Sequence, residues 1–295
     1  MTTETVSNLY QGLDAWSAVD IMRAITEGNA RAVKAVEAAL PHLEAAAAGI
    51  EPRLLAGGRL FYAGAGTSGR LGVMDAAELA PTFGFDRTEV LLAGGGDAQE
   101  KAQEGAEDDV LAAAAAVDHA AIGPDDALIG VAASGKTPYT VAAVKRARER
   151  GAFTVGLANN ADTPLLSVGD VGVLLDTGPE VLAGSTRLAA GTAQKAALNA
   201  LSTAVLVRLG GAYDNLMVGM RPLNAKLKKR AVEIVAQAAR LENAEAETVL
   251  ERAGGDIRTA IVMAGTGRDS AVAGTLLVEN GYSVRAAIAA GRRPD

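Results

Sequence analysis

The chain has 295 residues, 49% hydrophobic and 21% charged, with a net charge of −7 and no cysteine. That length and apolar content suit one large domain, or a medium domain beside a small one, and at 3% aromatic the core is expected to be built from Ala, Val and Leu. The composition excludes disulfides, zinc–thiolate sites and cysteine nucleophiles, argues against nucleic acid as the main partner, and leaves only His42 and His119, too few and too distant for a histidine metal cluster.

The N-terminus carries Glu4 and Asp14 without a basic n-region, so it does not read as a signal peptide. No apolar run approaches the ~20 residues of a membrane span, and a cytoplasmic protein is expected. Residues 14–56 show helical spacing at Ile21, Ile25, Val33, Val36 and Leu40, with Pro41 and Pro52 as boundaries. Short apolar runs follow at Arg59–Ala63, Glu89–Ala93, Ala127–Ala132, Phe153–Leu157 and Val171–Leu175, and read as strands. Helices are predicted between them at Arg70–Ala80, Asp97–His119 and Tyr139–Arg150, then a long one at Ser185–Gly210. Strands alternating with helices, the strands nearly continuously apolar, predict a parallel sheet covered on both faces, with ligands outside the carboxyl ends of the strands.

From Asn224 the pattern changes to short helices at Lys229–Leu241, Ala244–Ala253, Ile257–Gly265 and Ser270–Asn280. The division expected is a domain over 1–224 and a compact helical module over 225–295. Lys226-Leu227-Lys228-Lys229-Arg230, the densest basic run, reads as a solvated helix start.

Two strand-to-helix loops combine Gly, Ser, Thr and a cation: Gly64-Ala65-Gly66-Thr67-Ser68-Gly69-Arg70 and Ala133-Ser134-Gly135-Lys136-Thr137. Glycines let a ligand approach the backbone, and a helix start offers unpaired N–H groups, so the pair predicts phosphate binding. The first loop also fits the dinucleotide pattern G-x-G-x-x-G, but the next strand ends in Ala93-Gly94-Gly95-Gly96 rather than the acidic residue a ribose needs. Gly130–Thr137 fits the nucleotide P-loop G-x-x-x-x-G-K-[ST] in full, and Val173-Leu174-Leu175-Asp176 offers a rough magnesium partner. Against nucleotide hydrolysis, Pro138 removes a backbone donor where phosphates would be cradled, and the first loop would be left without a purpose. A third candidate, Gly184-Ser185-Thr186-Arg187, opens the long helix, with Ser185 either its N-cap or a ligand contact. On that helix Gln194, Lys195 and Asn199 are either ligands or its solvent side.

The segments GAGTSGRLG (Gly64–Gly72), DAAELAPTFG (Asp75–Gly84), EGAED (Glu104–Asp108), AASGKTPY (Ala132–Tyr139), GSTRLAAGTAQK (Gly184–Lys195) and DNLMV (Asp214–Val218) run in one order across nearly the whole chain. In that order and spacing they resemble the N-acetylmuramic acid 6-phosphate etherases, members of the sugar-isomerase (SIS) fold group. The resemblance implies a flavodoxin-like three-layer α/β/α sandwich with a parallel sheet, a small C-terminal module like a ubiquitin-associated domain, and a homodimer. It also implies a reaction that needs no cofactor or metal: cleavage of a D-lactyl ether by water, giving N-acetylglucosamine 6-phosphate and D-lactate.

The family's catalytic glutamates correspond to Glu78 and Glu107. Glu78 has Ala, Leu and Pro as sequence neighbours, company that would raise a carboxyl pKa and suit an acid at the lactyl oxygen. Glu107, among Glu104, Asp108 and Asp109, would be the base at C2. Thr67, Ser68, Ser134 and Thr137, with the N–H groups of Gly69 and Gly135, are expected to hold the phosphate, and Ser185 the sugar or its N-acetyl group. The chain departs from the family's pattern at four places: Ala80 replaces a second proline, Lys136 a common arginine, Gly28-Asn29 an acidic pair, and Ala189-Ala190 a bulkier pair that often includes lysine. A sugar-phosphate sensor without turnover and a sugar-phosphate isomerase are the competing readings.

Overall fold

The computed structural model describes residues 2–99, 103, 105–222 and 224–292. Two compact units divide it, one of residues 1–76 and 87–202, the other of 77–86 and 203–295.

The first unit opens with two helices, α1 (Ala18–Ala38) and α2 (Leu40–Leu55). The Ser17 hydroxyl caps α1 by accepting from the Asp20 N–H. Pro41 stands in the first turn of α2, as a boundary residue should, whereas Pro52 lies inside its last turns. The core stripe of α1 is small, running Ala24, Gly28, Ala32, Ala35 and Val36.

Five strands follow: β1 (Leu60–Gly64), β2 (Thr88–Leu92), β3 (Ala127–Ala132), β4 (Phe153–Ala158) and β5 (Val171–Leu174). They form one parallel sheet in the order β2-β1-β3-β4-β5. Helices α3 (Gly66–Phe83), α4 (Val110–His119), α5 (Pro138–Glu149) and α6 (Pro164–Val168) connect them, and α7 (Ala189–Leu206) follows the last strand. Every residue of β1 and β3 is buried, which explains their unbroken apolar reading in the sequence. Neighbouring residues of β1 face opposite layers. Phe61 packs with Ala113, Val117, Ala143 and Val144 of α4 and α5, while the Tyr62 hydroxyl reaches Asp75 on α3. Although aromatics are scarce, Tyr62 and Phe61 are the two largest fully buried side chains described, so the core is not solely aliphatic.

The helix predicted over Asp97–His119 is corrected to two single 3-10 turns, Gly96–Gln99 and Ala106–Asp108, and α4. Gly105 takes φ +73°, and Asp109 stops the turn by accepting from the Ala112 N–H as the α4 cap.

In the second unit the chain leaves α7 through an irregular turn, Val207–Gly211, and a hairpin of β6 (Ala212–Tyr213) and β7 (Leu216–Met217). Five helices follow: α8 (Ala225–Ala239), α9 (Asn243–Arg252), α10 (Ile257–Thr266), α11 (Ser270–Glu279) and α12 (Val284–Gly291). Asn224, Asp256, Asp269 and Ser283 cap α8, α10, α11 and α12 through their side chains. Ile234, Val235, Leu250, Ile257, Ile261, Leu277 and Val284 share a core with Val218 and Met220. The basic residues of Lys226–Arg230 are exposed on α8. Among the described residues, no helix is long and apolar enough to cross a membrane.

Candidate active site

In the order β2-β1-β3, the chain winds to one side of β1 and then to the other, so the sheet's switch point lies between β1 and β3. Both hydroxyl-bearing loops leave the sheet there. Gly64, the last residue of β1, pairs with Val131 of β3. The turn into α3 is tight: a Cβ on Gly64 would stand 2.8 Å from the Gly69 Cα, and one on Gly69 would stand 2.4 Å from Leu92. Only glycine allows that approach. Ser68 is buried and Thr67 half-buried on the first turn of α3.

The second loop turns at Gly135, with φ +65°. A Cβ there would lie 2.1 Å from the Thr163 Oγ1. Ser134 Oγ and Thr137 Oγ1 stand 3.4 Å apart, and the Ser134 oxygen accepts from the Lys136 N–H. Pro138 is the first residue of α5. The Gly130 that completes the P-loop pattern lies inside β3, where a Cβ would strike Val144 of α5 at 2.3 Å. It is a packing glycine and cradles nothing, which removes the basis of the nucleotide reading.

The third segment differs from its sequence reading. Helix α7 starts at Ala189, not Ser185, and its first N–H groups are taken by Glu180. The two carboxylate oxygens of Glu180 accept from Ala189 and Ala190 at 3.0 and 2.9 Å, and the residue is buried. An anion at a helix N-terminus is favoured by the unpaired N–H groups and the helix dipole. Ser185 is therefore no N-cap; it is half-buried, in a turn closed by its N–H on the Leu182 carbonyl. Segment 184–191 nevertheless reaches the first loop: a Cβ on Gly191 would lie 3.7 Å from the Thr67 methyl group.

Of the polar residues of α7, Lys195 is exposed. Gln194 is buried and donates to Asn159, which in turn donates to the Leu175 carbonyl. Asn199 donates to Asp75 at 2.6 Å. Gln194 and Asn199 serve packing rather than solvent.

Glu78 lies on α3 and is exposed, as is Ala77, while Leu79 is buried. The apolar sequence neighbours thus do not enclose its carboxyl in this chain, because adjacent residues of a helix point about 100° apart. Glu107 sits in the turn Ala106–Asp108 and is exposed too. Of its acidic neighbours, Asp109 is occupied as the α4 cap, and Glu104 lies outside the described residues.

Sequence reasoning missed three buried polar groups around these loops: Glu180, Asp75 and Asn160. Asp75 accepts from both the Tyr62 hydroxyl and Asn199. Asn160, just beyond β4, donates to the Ala133 carbonyl next to Ser134 and also bonds Thr3. A buried polar residue must have partners, but these partners lie from 9 to 157 residues away and no local pattern announces them. A cavity of about 670 Å³ borders the N-terminal segment, lined by Ser7, Asn8, Tyr10, Gln11, Glu180 and Leu182 among others. None of the predicted site residues lines it. Two departures from the expected pattern meet in space: a Cβ on Gly28 would stand 3.8 Å from that of Ala189, and Asn29 accepts from Thr192.

Comparison with known proteins agrees with this architecture. Residues 42–148 match the model of the glucokinase regulatory protein N-terminal SIS domain, and residues 109–204 that of the SIS domain. Over 263 residues the chain is 52% identical to the N-acetylmuramic acid 6-phosphate etherase of Deinococcus radiodurans, covering 88% of this chain and 86% of that one. It is 46% identical over 302 residues to the protein of the same name from Rubrobacter xylanophilus, covering 100% and 98%. The identity to the Streptomyces avermitilis protein of that name is 45%, with 99% and 95% covered. The sheet and its covering helices are the three-layer α/β/α arrangement of the SIS fold.

Proposed function

The chain belongs to the family of N-acetylmuramic acid 6-phosphate etherases, and from that premise we propose the chemistry its own residues carry. The reaction is cleavage of the D-lactyl ether of N-acetylmuramic acid 6-phosphate by water, giving N-acetylglucosamine 6-phosphate and D-lactate. The two hydroxyl-bearing loops at the switch point are the observation that carries the assignment of the site. Thr67, Ser68, Ser134 and Thr137 bind the 6-phosphate, and Ser185 contacts the sugar; the N–H groups of Gly69 and Gly135, expected as further donors, already donate to the Ala65 and Ala132 carbonyls. Neutral donors suit a phosphate that must leave again with the product.

An ether β to a masked aldehyde leaves by elimination once the sugar ring opens. The C1 carbonyl acidifies the C2 proton, and Glu107 removes it. The C3–oxygen bond breaks, and Glu78 supplies the proton with which lactate departs. Water then adds across the C2–C3 double bond, its oxygen to C3 and a proton to C2, with the same two groups in reversed roles. The exposure of both carboxyl groups in the single chain supports a site open to substrate and water.

We further propose a cytoplasmic homodimer acting in amino-sugar catabolism and cell-wall recycling. A charged sugar phosphate does not cross a bilayer unaided. The α1 side chains Val19, Met22 and Val33, which share one face and are each more than half exposed, support a covered dimer surface. Residues 225–295 would support packing of that dimer, and a chain ending at 224 that stayed dimeric and active would refute this.

The test is D-lactate release from N-acetylmuramic acid 6-phosphate with no metal or nucleotide added. In heavy water the product should carry deuterium at C2, and in ¹⁸O water it should carry the label at C3. Glu78→Gln should abolish release and keep sugar-phosphate binding. Loss of binding instead would make Glu78 a structural or ligand-contact residue.

A further inference from the structure

Thr3 is fully buried, although a third residue would ordinarily fray. Its N–H donates to the Asn160 side chain, its hydroxyl accepts from the same side chain, and its carbonyl accepts from the Gly184 N–H. Asn160 also donates to the Ala133 carbonyl, beside Ser134. One residue thus ties the start of the chain to the turn after β4, to the second hydroxyl loop and to the segment ahead of Ser185. The next residue, Glu4, is exposed, and its carboxylate lies against Gly184: a Cβ on that glycine would stand 2.9 Å from Glu4 Oε2. Gly184 has φ +78°, so backbone conformation and space both favour glycine there.

From this geometry we propose that Glu4 is a sugar-recognition residue of the site, held in place by the Thr3 strap, whose carboxylate accepts hydrogen bonds from hydroxyl groups of the substrate. The assignment rests on the etherase reading for the identity of the sugar phosphate. A carboxylate beside a phosphate site repels the anion, so contact with the phosphate itself is no use for it. Sugar hydroxyls are donors, and charge-assisted hydrogen bonds to a carboxylate are among the strong ones. Among the described residues, no hydrogen bond or ion pair occupies the Glu4 oxygens, which leaves them available as acceptors. Thr3 does not touch the substrate; it is the positioning residue through which the strap acts.

The experiment compares the full chain with Glu4→Ala and Thr3→Val by calorimetric titration with N-acetylglucosamine 6-phosphate and, separately, with inorganic phosphate. Melting temperatures and the steady-state KM and kcat are measured alongside. Glu4→Ala should weaken the sugar phosphate by about tenfold or more, raise KM more than it lowers kcat, and leave inorganic phosphate affinity and melting temperature as they are. Thr3→Val should show the same selective weakening to a smaller extent. Unchanged sugar-phosphate affinity in Glu4→Ala would overturn the proposal. An equal loss for both ligands with a lowered melting temperature would overturn it as well, showing a structural role. Failure of the unaltered chain to release lactate would sink the etherase reading instead, while a selective loss of sugar-phosphate binding would still support the role of Glu4.

Discussion

The Tyr62 hydroxyl donates to the Asp75 carboxylate across 2.7 Å, with both residues buried between β1 and α3. Asn199 of α7 donates to the other carboxylate oxygen. Asp75→Asn replaces one acceptor oxygen by a donor nitrogen, so one of these two donors loses its partner. A cost of about 2–3 kcal/mol is expected, read as a lowered urea midpoint with unchanged slope.

Burial pushes the Tyr62 phenol well above its ordinary pKa, and the neighbouring Asp75 charge adds to the shift. A group whose acid form is favoured by folding contributes stability fully below the unfolded pKa, about 10 for tyrosine. That contribution is lost as pH rises beyond it. Absorbance titration near 295 nm should show Tyr62 ionising only together with unfolding, and Tyr62→Phe should remove that component. A smooth titration of all five tyrosines in the folded protein would contradict this.

Asp126 is the opposite case. Burial disfavours its charge, but the Arg59 guanidinium and the backbone N–H groups of Arg59 and Gly123 outweigh that and hold its carboxyl below the usual range. Its contribution is present above the unfolded carboxyl pKa of about 3.9 and disappears as pH falls through the lower folded value. Asp126→Asn should cost about 2 kcal/mol at pH 7 and flatten the acid limb of the stability curve below about pH 4, where the unfolded carboxyl starts to bind its proton.

Gly135→Ala and Gly66→Ala separate strain from crowding. Both glycines have positive φ, +65° and +53°. An alanine at 135 would also drive its Cβ into Thr163, whereas nothing lies within 4 Å at 66. The first substitution should cost roughly 2–4 kcal/mol and the second about 1–2 kcal/mol. Equal losses in thermal denaturation would show that Thr163 moves aside.

Removing the paired hydroxyls by Ser134→Ala with Thr137→Val should weaken inorganic phosphate and N-acetylglucosamine 6-phosphate alike, by about tenfold or more. A loss confined to the sugar phosphate would move the phosphate elsewhere.

Much of the fold was legible because it is written locally. The strands β1, β3 and β4 are almost wholly buried apolar runs, and four of the five helices after Asn224 begin at Asn, Asp and Ser residues that cap them. Both hydroxyl loops were legible for the same reason: each is a short segment whose glycines have one steric explanation. The alanine-rich run before His119 is helix as expected, but the reading carried the helix too far back, across Gly105 and Asp109, which break it. Glu78 was read through its neighbours along the chain, yet helical geometry turns Leu79 inward and Glu78 outward. Thr3 was silent because its partner Asn160 lies 157 residues away, and Glu180 because its partners are backbone N–H groups 9 and 10 residues on.

The meeting of Gly28 with Ala189 changes how those two departures should be counted. Along the chain, Gly28-Asn29 and Ala189-Ala190 stand as two separate departures from the expected pattern. In the folded chain they meet as one close small-residue contact, with Asn29 and Thr192 bonded beside it. A lysine placed at the buried Ala189 would bring an ammonium against Gly28 and the Arg31 guanidinium, so substitutions here should be made in pairs.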